Sequence, residues 1–258
     1  MKKQTESAAE LILRALVDPE WAKSLEDLSA SAVDNAADAA FRGRVGLPFL
    51  ECCERDGVEL GPHSRNLLVA LRQRRRATDD VMATLAELLD QVAPGRWAFF
   101  KSIKPFSTTP NDTDWILFDQ ERHAEVCDYL IDSGEFSLLE RAPLQTTLIH
   151  RSGTGIADSH KTGGVFYIDC YKLPATDYFV YLDPKVLADF VESFELNGRT
   201  VPTLSAAAEL CALSFHNVFP ERSFSIEAYL ATRSYFRQIA NTGAVDELAE
   251  VARRLHVE

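Results

Sequence analysis

Apolar positions recur at spacings of three and four from residue 7 to about residue 92, a helical pattern in which glycine is sparse. Near the N-terminus, Ala9, Ile12, Leu13, Leu16 and Val17 share one predicted face, with Glu10 and Arg14 interrupting it in sequence. Residues 63–76 place Leu67, Leu68 and Leu71 together. A new helix is predicted over 78–90, because Thr78 reads as an N-cap and is followed by two aspartates in the first turn. The basic run Arg72, Arg74, Arg75 and Arg76 then falls at the end of the preceding helix, where cations complement the dipole.

The pattern changes after Pro94 and Gly95. Short apolar and aromatic runs at 97–103, 114–118, 136–139, 145–150 and 164–170 predict strands, and 179–182 predicts one more. Between them, 120–133 carries helical spacing through Val126, Cys127, Leu130 and Ile131 and stops at Gly134. Helical spacing returns at 184–194, 204–218, 225–240 and 244–255, and 196–202 reads as a turn or short hairpin. Strands with an intervening helix, flanked by helical segments, imply an α/β or α+β core. Three regions result: a helical region over 1–93, a core over 94–183 and a helical region over 184–258.

Composition narrows the classes of function. With 258 residues, 46% of them hydrophobic, the chain has material for one large core or two smaller ones. Its net charge of -12 disfavours long nucleic acid and anionic membrane, whose phosphates need Lys and Arg. No run reaches the roughly 20 apolar residues that span a bilayer, and the N-terminal segment reads as a helix face rather than a signal core. Five cysteines leave one over in any intramolecular pairing, and none has zinc-site spacing. The expectation is a cytoplasmic protein with reduced thiols and no membrane partner.

The candidate chemistry lies in TTPNDTDWILFD, residues 108–119. If the chain is extended there, Asp112 and Asp114 point to the same side. Two carboxylates so close must share a proton, be solvated or bind a cation, and oxygen-rich sites suit Mg²⁺ or Mn²⁺. A third acid, Asp169, stands near the end of the apolar run at 164–170. If that strand neighbours the first, the three carboxylates converge. A plain turn at Pro110, Asn111 and Asp112, with Asp114 solvated at a strand end, is the competing account.

This arrangement resembles the nucleotidyltransferase superfamily of the polymerase-β type. The likeness rests on the strand and turn at 99–106, NDTD at 111–114 leading into an apolar strand, the following helix, and Ile168-Asp169. Residues 201–216 also look like the segment after the catalytic core in archaeal uncharacterised nucleotidyltransferase-like proteins. The resemblance spans about residues 95–235 and implies an α+β fold, with a central mixed β-sheet of nucleotidyltransferase type flanked by the N-terminal and C-terminal helical segments. It further implies that Asp112, Asp114 and Asp169 hold two divalent metals and act in catalysis. One departure stands out: the family carries a Gly-Ser pair on the turn before the aspartates, and the nearest match here is Lys101-Ser102. Ser102, with Lys101 or Lys104, is the candidate phosphate contact.

Two further groups carry polar side chains of interest. His150, Arg151 and His160 flank a glycine-rich loop at 152–155, read as a turn between antiparallel strands, with Lys161 kept as a substrate contact. His216 reads as a buried histidine hydrogen-bonded to backbone. The resulting expectation is a Mg²⁺- or Mn²⁺-dependent nucleotidyltransferase. It would move a nucleoside monophosphate from a nucleoside triphosphate to a hydroxyl acceptor, a small molecule or protein rather than long nucleic acid. The alternatives are an inactive nucleotidyltransferase-like binding or assembly protein, favoured by the absent Gly-Ser pair, and a metal-dependent phosphodiesterase.

Overall fold

The computed structural model of the chain describes residues 7–17, 29–110, 112–150, 166–176 and 179–255. Helices precede the first strand: α1 (Ala8–Val17), α2 (Ala30–Arg42), α3 (Gly46–Arg55) and α4 (Pro62–Val92). Helix α1 buries Leu11, Ile12 and Ala15 and exposes Leu13, so its buried stripe is rotated from the predicted face. The predicted break at Thr78 does not occur. Helix α4 runs through it for 31 residues, with Thr78 buried along its length. Residues 63–92 contain neither Gly nor Pro, and Thr-Asp-Asp costs only about 0.7 kcal/mol per residue in helix propensity. Burial of Val81, Met82, Leu85 and Leu89 a turn later outweighs that cost.

The chain forms two compact units. The first draws on residues up to Arg75 together with Phe106–Thr109 and Ser225–Leu230. Its core gathers Leu11, Ile12, Val33, Leu47, Phe49, Leu50 and Leu71. The start of α4 is capped from another helix: the backbone N–H and hydroxyl of Ser64 donate to Asp34 Oδ1 at 3.0 and 2.5 Å. Gly61 is pressed against that carboxylate, where an added Cβ would stand 2.4 Å from Asp34 Oδ2.

The second unit comprises Arg76–Pro105, Pro110–Phe224 and the chain from Ala231 onward. It contains β1 (Trp97–Phe99), β2 (Asp112–Leu117), α5 (His123–Asp132), β3 (Phe136–Arg141), β4 (Gln145–His150), β5 (Tyr167–Tyr171), β6 (Ala175–Thr176) and β7 (Phe179–Val180). There follow α6 (Pro184–Leu187), β8 (Val191–Leu196), β9 (Arg199–Leu204), α7 (Ala206–His216), α8 (Ile226–Thr242) and α9 (Val245–Arg254). Among the described residues seven strands make one sheet in the order β3-β4-β5-β2-β1-β9-β8, and β6 and β7 pair separately. Pairings β2–β5 and β1–β9 are parallel and the rest antiparallel, so the sheet is mixed and the fold α+β.

The helix expected over 184–194 is a correction. Only Pro184–Leu187, capped by Asp183, is α-helical, and a 3₁₀ turn at Ala188–Phe190 leads into β8. Strand β8 pairs along its length with β9, which gives Val191 and Phe194 the extended setting they favour. The hairpin reading of 196–202 holds: Asn197 and Gly198 both have positive φ, 50° and 75°, as a two-residue turn matching strand twist requires. Among the described residues no helix is long and apolar enough to cross a membrane.

Candidate functional site

Strand β2 alternates. Thr113 and Trp115 are fully buried, while Asp112 and Asp114 on the opposite side are only partly so. The parallel register pairs Asp112 with Tyr167, Asp114 with Asp169 and Ile116 with Tyr171. Paired residues share a face of the sheet, so Asp112, Asp114 and Asp169 lie together, and the antiparallel partner of Asp169 is Thr147 on β4. The other face carries Trp97, Phe99, Trp115, Leu148, Ile168 and Cys170, packed against the C-terminal part of α4 and against Val126, Cys127 and Leu130 of α5. The register thus brings Asp112, Asp114 and Asp169 onto one surface.

The carboxylates feel one another. Burial raises the Asp114 pKa to about 7; Lys101 pulls it down while Asp112 and Asp169 push it up. Burial also raises Asp169, opposed first by the Thr147 hydroxyl, which donates to Asp169 Oδ1 at 2.7 Å. The crowded negative charge is met by a cation from the chain itself. Lys101 Nζ stands 3.4 Å from Asp114 Oδ2 and 3.3 Å from His216 Nδ1. It also lies over the rings of Phe100 and Tyr171, 4.8 and 5.0 Å from their centroids.

Lys101 reaches that position through an unusual backbone. Its φ is 60°, the left-handed region where a Cβ costs about 1–2 kcal/mol. Such a conformation persists only where the surroundings over-determine it, and here three contacts do. The Lys101 backbone N–H donates to both carboxyl oxygens of Glu209 on α7, at 3.0 and 2.9 Å. The Ser102 hydroxyl accepts from the Asp114 N–H at 2.7 Å and lies 3.1 Å from the Asp114 carbonyl. Tyr235 on α8 donates to the Ile103 carbonyl at 3.0 Å. The turn thus carries a lysine in a conformation that glycine adopts without steric penalty.

The remaining predicted contacts divide. Ser102 is 4% exposed, and its hydroxyl is engaged within the turn. Lys104 is partly buried, and its charge acts on the Glu209 carboxyl. Lys161, Asn111 and the glycine-rich loop with Arg151 and His160 lie outside the described residues. His216, read as a buried histidine, is partly buried, and side chains surround it: Lys101, the Tyr181 hydroxyl at 3.4 Å from Nδ1, and Glu221 at 3.5 Å from Nε2. Glu209 was missed altogether, since an acid inside an Ala- and Leu-rich helix gives no motif. Burial pushes its carboxyl up to about 8, against the Lys101 N–H and the charges of Lys104 and Lys101.

Three carboxylates offer the hard oxygen donors that Mg²⁺ or Mn²⁺ prefers, and their mutual repulsion is what a bound cation relieves. The fit is chemical rather than geometric, because among the described residues no three His, Cys, Asp or Glu side chains close on a point as a metal cage.

No protein-family model matches the chain, and no curated protein does either. A solved structure that does match is the crystal structure of the lincosamide antibiotic adenylyltransferase LnuA with lincomycin bound. The identity is 13%, the TM-score 0.37, and the match covers 60% of this chain and 93% of that one. A superposition that loose fixes neither fold type nor activity. Nothing in these comparisons supports the narrower likeness to archaeal proteins.

Proposed function

We propose that the acidic face of the sheet is a metal-dependent nucleotidyl-transfer site. The observation that carries this reading is the β2–β5 register, which sets Asp114 across from Asp169 with Asp112 on the same side. Asp112, Asp114 and Asp169 would hold Mg²⁺ or Mn²⁺, which when bound supplies positive charge to the phosphates and acidity to an acceptor hydroxyl. The Lys101 ammonium adds a fixed positive charge for phosphate oxygens, and Glu209, Ser102 and Tyr235 hold it in place. An acceptor hydroxyl attacks the α-phosphorus of a nucleoside triphosphate, and the bond to pyrophosphate breaks with the electron pair leaving on pyrophosphate. Asp169, its carboxylate held by Thr147 and Gln145, would take the hydroxyl proton. The acidic chain favours a small molecule or a protein side chain as acceptor over long nucleic acid.

A second reading, nucleotide binding without transfer, is favoured by one observation: the chain's own lysine already stands on Asp114. Incubation with nucleoside triphosphates labelled at the α-phosphate, Mg²⁺ and cell extract separates the two. Transfer predicts a labelled acceptor that disappears with Asp112→Ala and Asp114→Asn. Magnesium-dependent heat on nucleotide titration without any labelled product supports binding alone, and neither signal refutes both.

A further inference from the structure

A cluster of aromatic rings adjoins the acidic face, and the proposed chemistry does not use it. Phe219 is its centre, with ring centroids of Phe179, Tyr181 and Phe215 at 5.1, 6.1 and 5.9 Å. Two short elements bring the rings together. Phe179 stands on β7, which pairs with β6. Phe215 and Phe219 are four residues apart at the end of α7, a spacing that sets them on one side of the helix. There the α-helix gives way to a π turn over Asn217–Glu221, in which the Arg222 backbone N–H donates to the Asn217 carbonyl. Such turns are rare and recur at functional sites. A packing role alone would bury these rings, yet Phe179 is 56% exposed and Phe215 and Phe219 are only partly buried. The planes of Phe215 and Phe219 differ by 7°, and those of Tyr181 and Phe219 by 24°. Rings so aligned can be joined by one more flat ring.

The cluster meets the acidic face at a single atom. His216 Nδ1 is 3.4 Å from the Tyr181 hydroxyl and 3.3 Å from Lys101 Nζ, the ammonium assigned above to phosphate oxygens. A ligand that fits both places carries phosphates at one end and a flat, largely apolar ring at the other. We infer that the rings of Phe179 and Phe219 receive the nucleobase of the nucleoside triphosphate, with Tyr181 and His216 between the base and the phosphates. The inference rests on the acidic face being the phosphate site of the proposed function. Stacking on aromatic side chains needs only the flat face of a base, which is what exposed phenyl rings can offer.

The test is calorimetric titration of the full chain, with Mg²⁺ present throughout, against ATP and against inorganic tripolyphosphate, which carries the phosphates without the base. Wild type is compared with Phe179→Leu, Phe219→Leu and Phe179→Trp, and thermal melting confirms that each is folded. Phe179 is exposed enough for its variants to fold even where Phe219→Leu loosens the π turn. ATP should bind wild type at least about fivefold tighter than tripolyphosphate does. Each leucine variant should lose that advantage and keep its tripolyphosphate affinity, while Phe179→Trp should hold or tighten ATP binding. Equal affinity of wild type for the two ligands, or a leucine series that leaves ATP affinity unchanged or weakens both ligands alike, would overturn the inference and leave nucleotidyl transfer standing. A dimer that becomes monomeric in Phe179→Leu, with ATP affinity unchanged, would assign the rings to a second copy of the chain instead. Binding of neither ligand to wild type would overturn both readings. A ring-dependent preference for ATP without any transferred label would uphold the base subsite and sink transfer.

Discussion

The two faces of the sheet use the same strands for opposite purposes. Along β2, Thr113 and Trp115 face the helices α4 and α5 and are fully buried, while Asp112 and Asp114 face away and stay partly accessible. Along β5 the same holds for Ile168 and Cys170 against Asp169. One face excludes water and pairs apolar surfaces; the other gathers three acids, a lysine with strained backbone and a buried glutamate. Because strand side chains alternate, a single residue step along β2 moves from the apolar core to the acidic cluster. The acidic face is built on the apolar one, and burial opposes ionisation of Asp114, Asp169 and Glu209 there.

The sharpest break in this contrast is Asp114→Asn. Transfer should fall by about a thousandfold or more, as when a group that stabilises transition-state charge is removed. The melting temperature should change little, since burial and the charges of Asp112 and Asp169 oppose ionisation at that position while the Lys101 ammonium favours it. A steady-state assay beside a thermal melt checks both halves, and a clear loss of stability would show that Asp114 serves the fold.

One residue further, the expectation inverts. Trp115→Ala removes a fully buried ring and the indole N–H that donates to Cys170 Sγ at 3.0 Å. It should cost about 3–5 kcal/mol of folding free energy, read by denaturant unfolding. Any loss of transfer should then follow the unfolded fraction.

The acidic face should also reveal itself by pH. The folded Glu209 pKa lies near 8, above its ordinary value of 4.5, so the folded protein holds that proton more tightly than the unfolded chain does. The contribution of Glu209 to stability is therefore greatest at or below the ordinary carboxyl range and declines as pH rises towards about 8, by at most about 1.4 kcal/mol per pH unit for one proton. Glu209→Gln should flatten the decline between pH 5 and 8 in a series of thermal melts. An unchanged slope would mean that Glu209 is ionised as folded. Asp114, raised for related reasons, adds a smaller share below about pH 7, which Asp114→Asn removes.

Much of this was legible in the chain, and the limits have physical causes. The alternation in DTDWIL placed the acids, and the turn chemistry of Asn197-Gly198 placed a hairpin. Thr78 misled because a capping signal is local, whereas the continuity of α4 is decided by what its next turn buries. Residues 184–194 misled because a capped Pro184 starts a helix well, while the pairing of β8 with β9 ends it through partners distant from that start. Lys101 was suspected as a phosphate contact but not as a residue at positive φ. That conformation depends on Glu209, more than a hundred residues away, and no spacing rule connects the two.

The smallest test lies between the two aspartates. Thr113 is fully buried on the apolar face, opposite Ile168, and its hydroxyl has no hydrogen-bond partner among the described residues. An unpaired buried hydroxyl is destabilising by about 1–3 kcal/mol relative to a satisfied one, so a methyl group of similar shape should be preferred. Thr113→Val keeps the β-branch that suits a strand and removes only the polarity. Stability should rise by about 1 kcal/mol, and metal binding and transfer should stay at wild-type levels although both neighbours belong to the acidic cluster. A loss of transfer at unchanged stability would mean that the two faces are not independent and that the Thr113 hydroxyl helps set the spacing of Asp112 and Asp114.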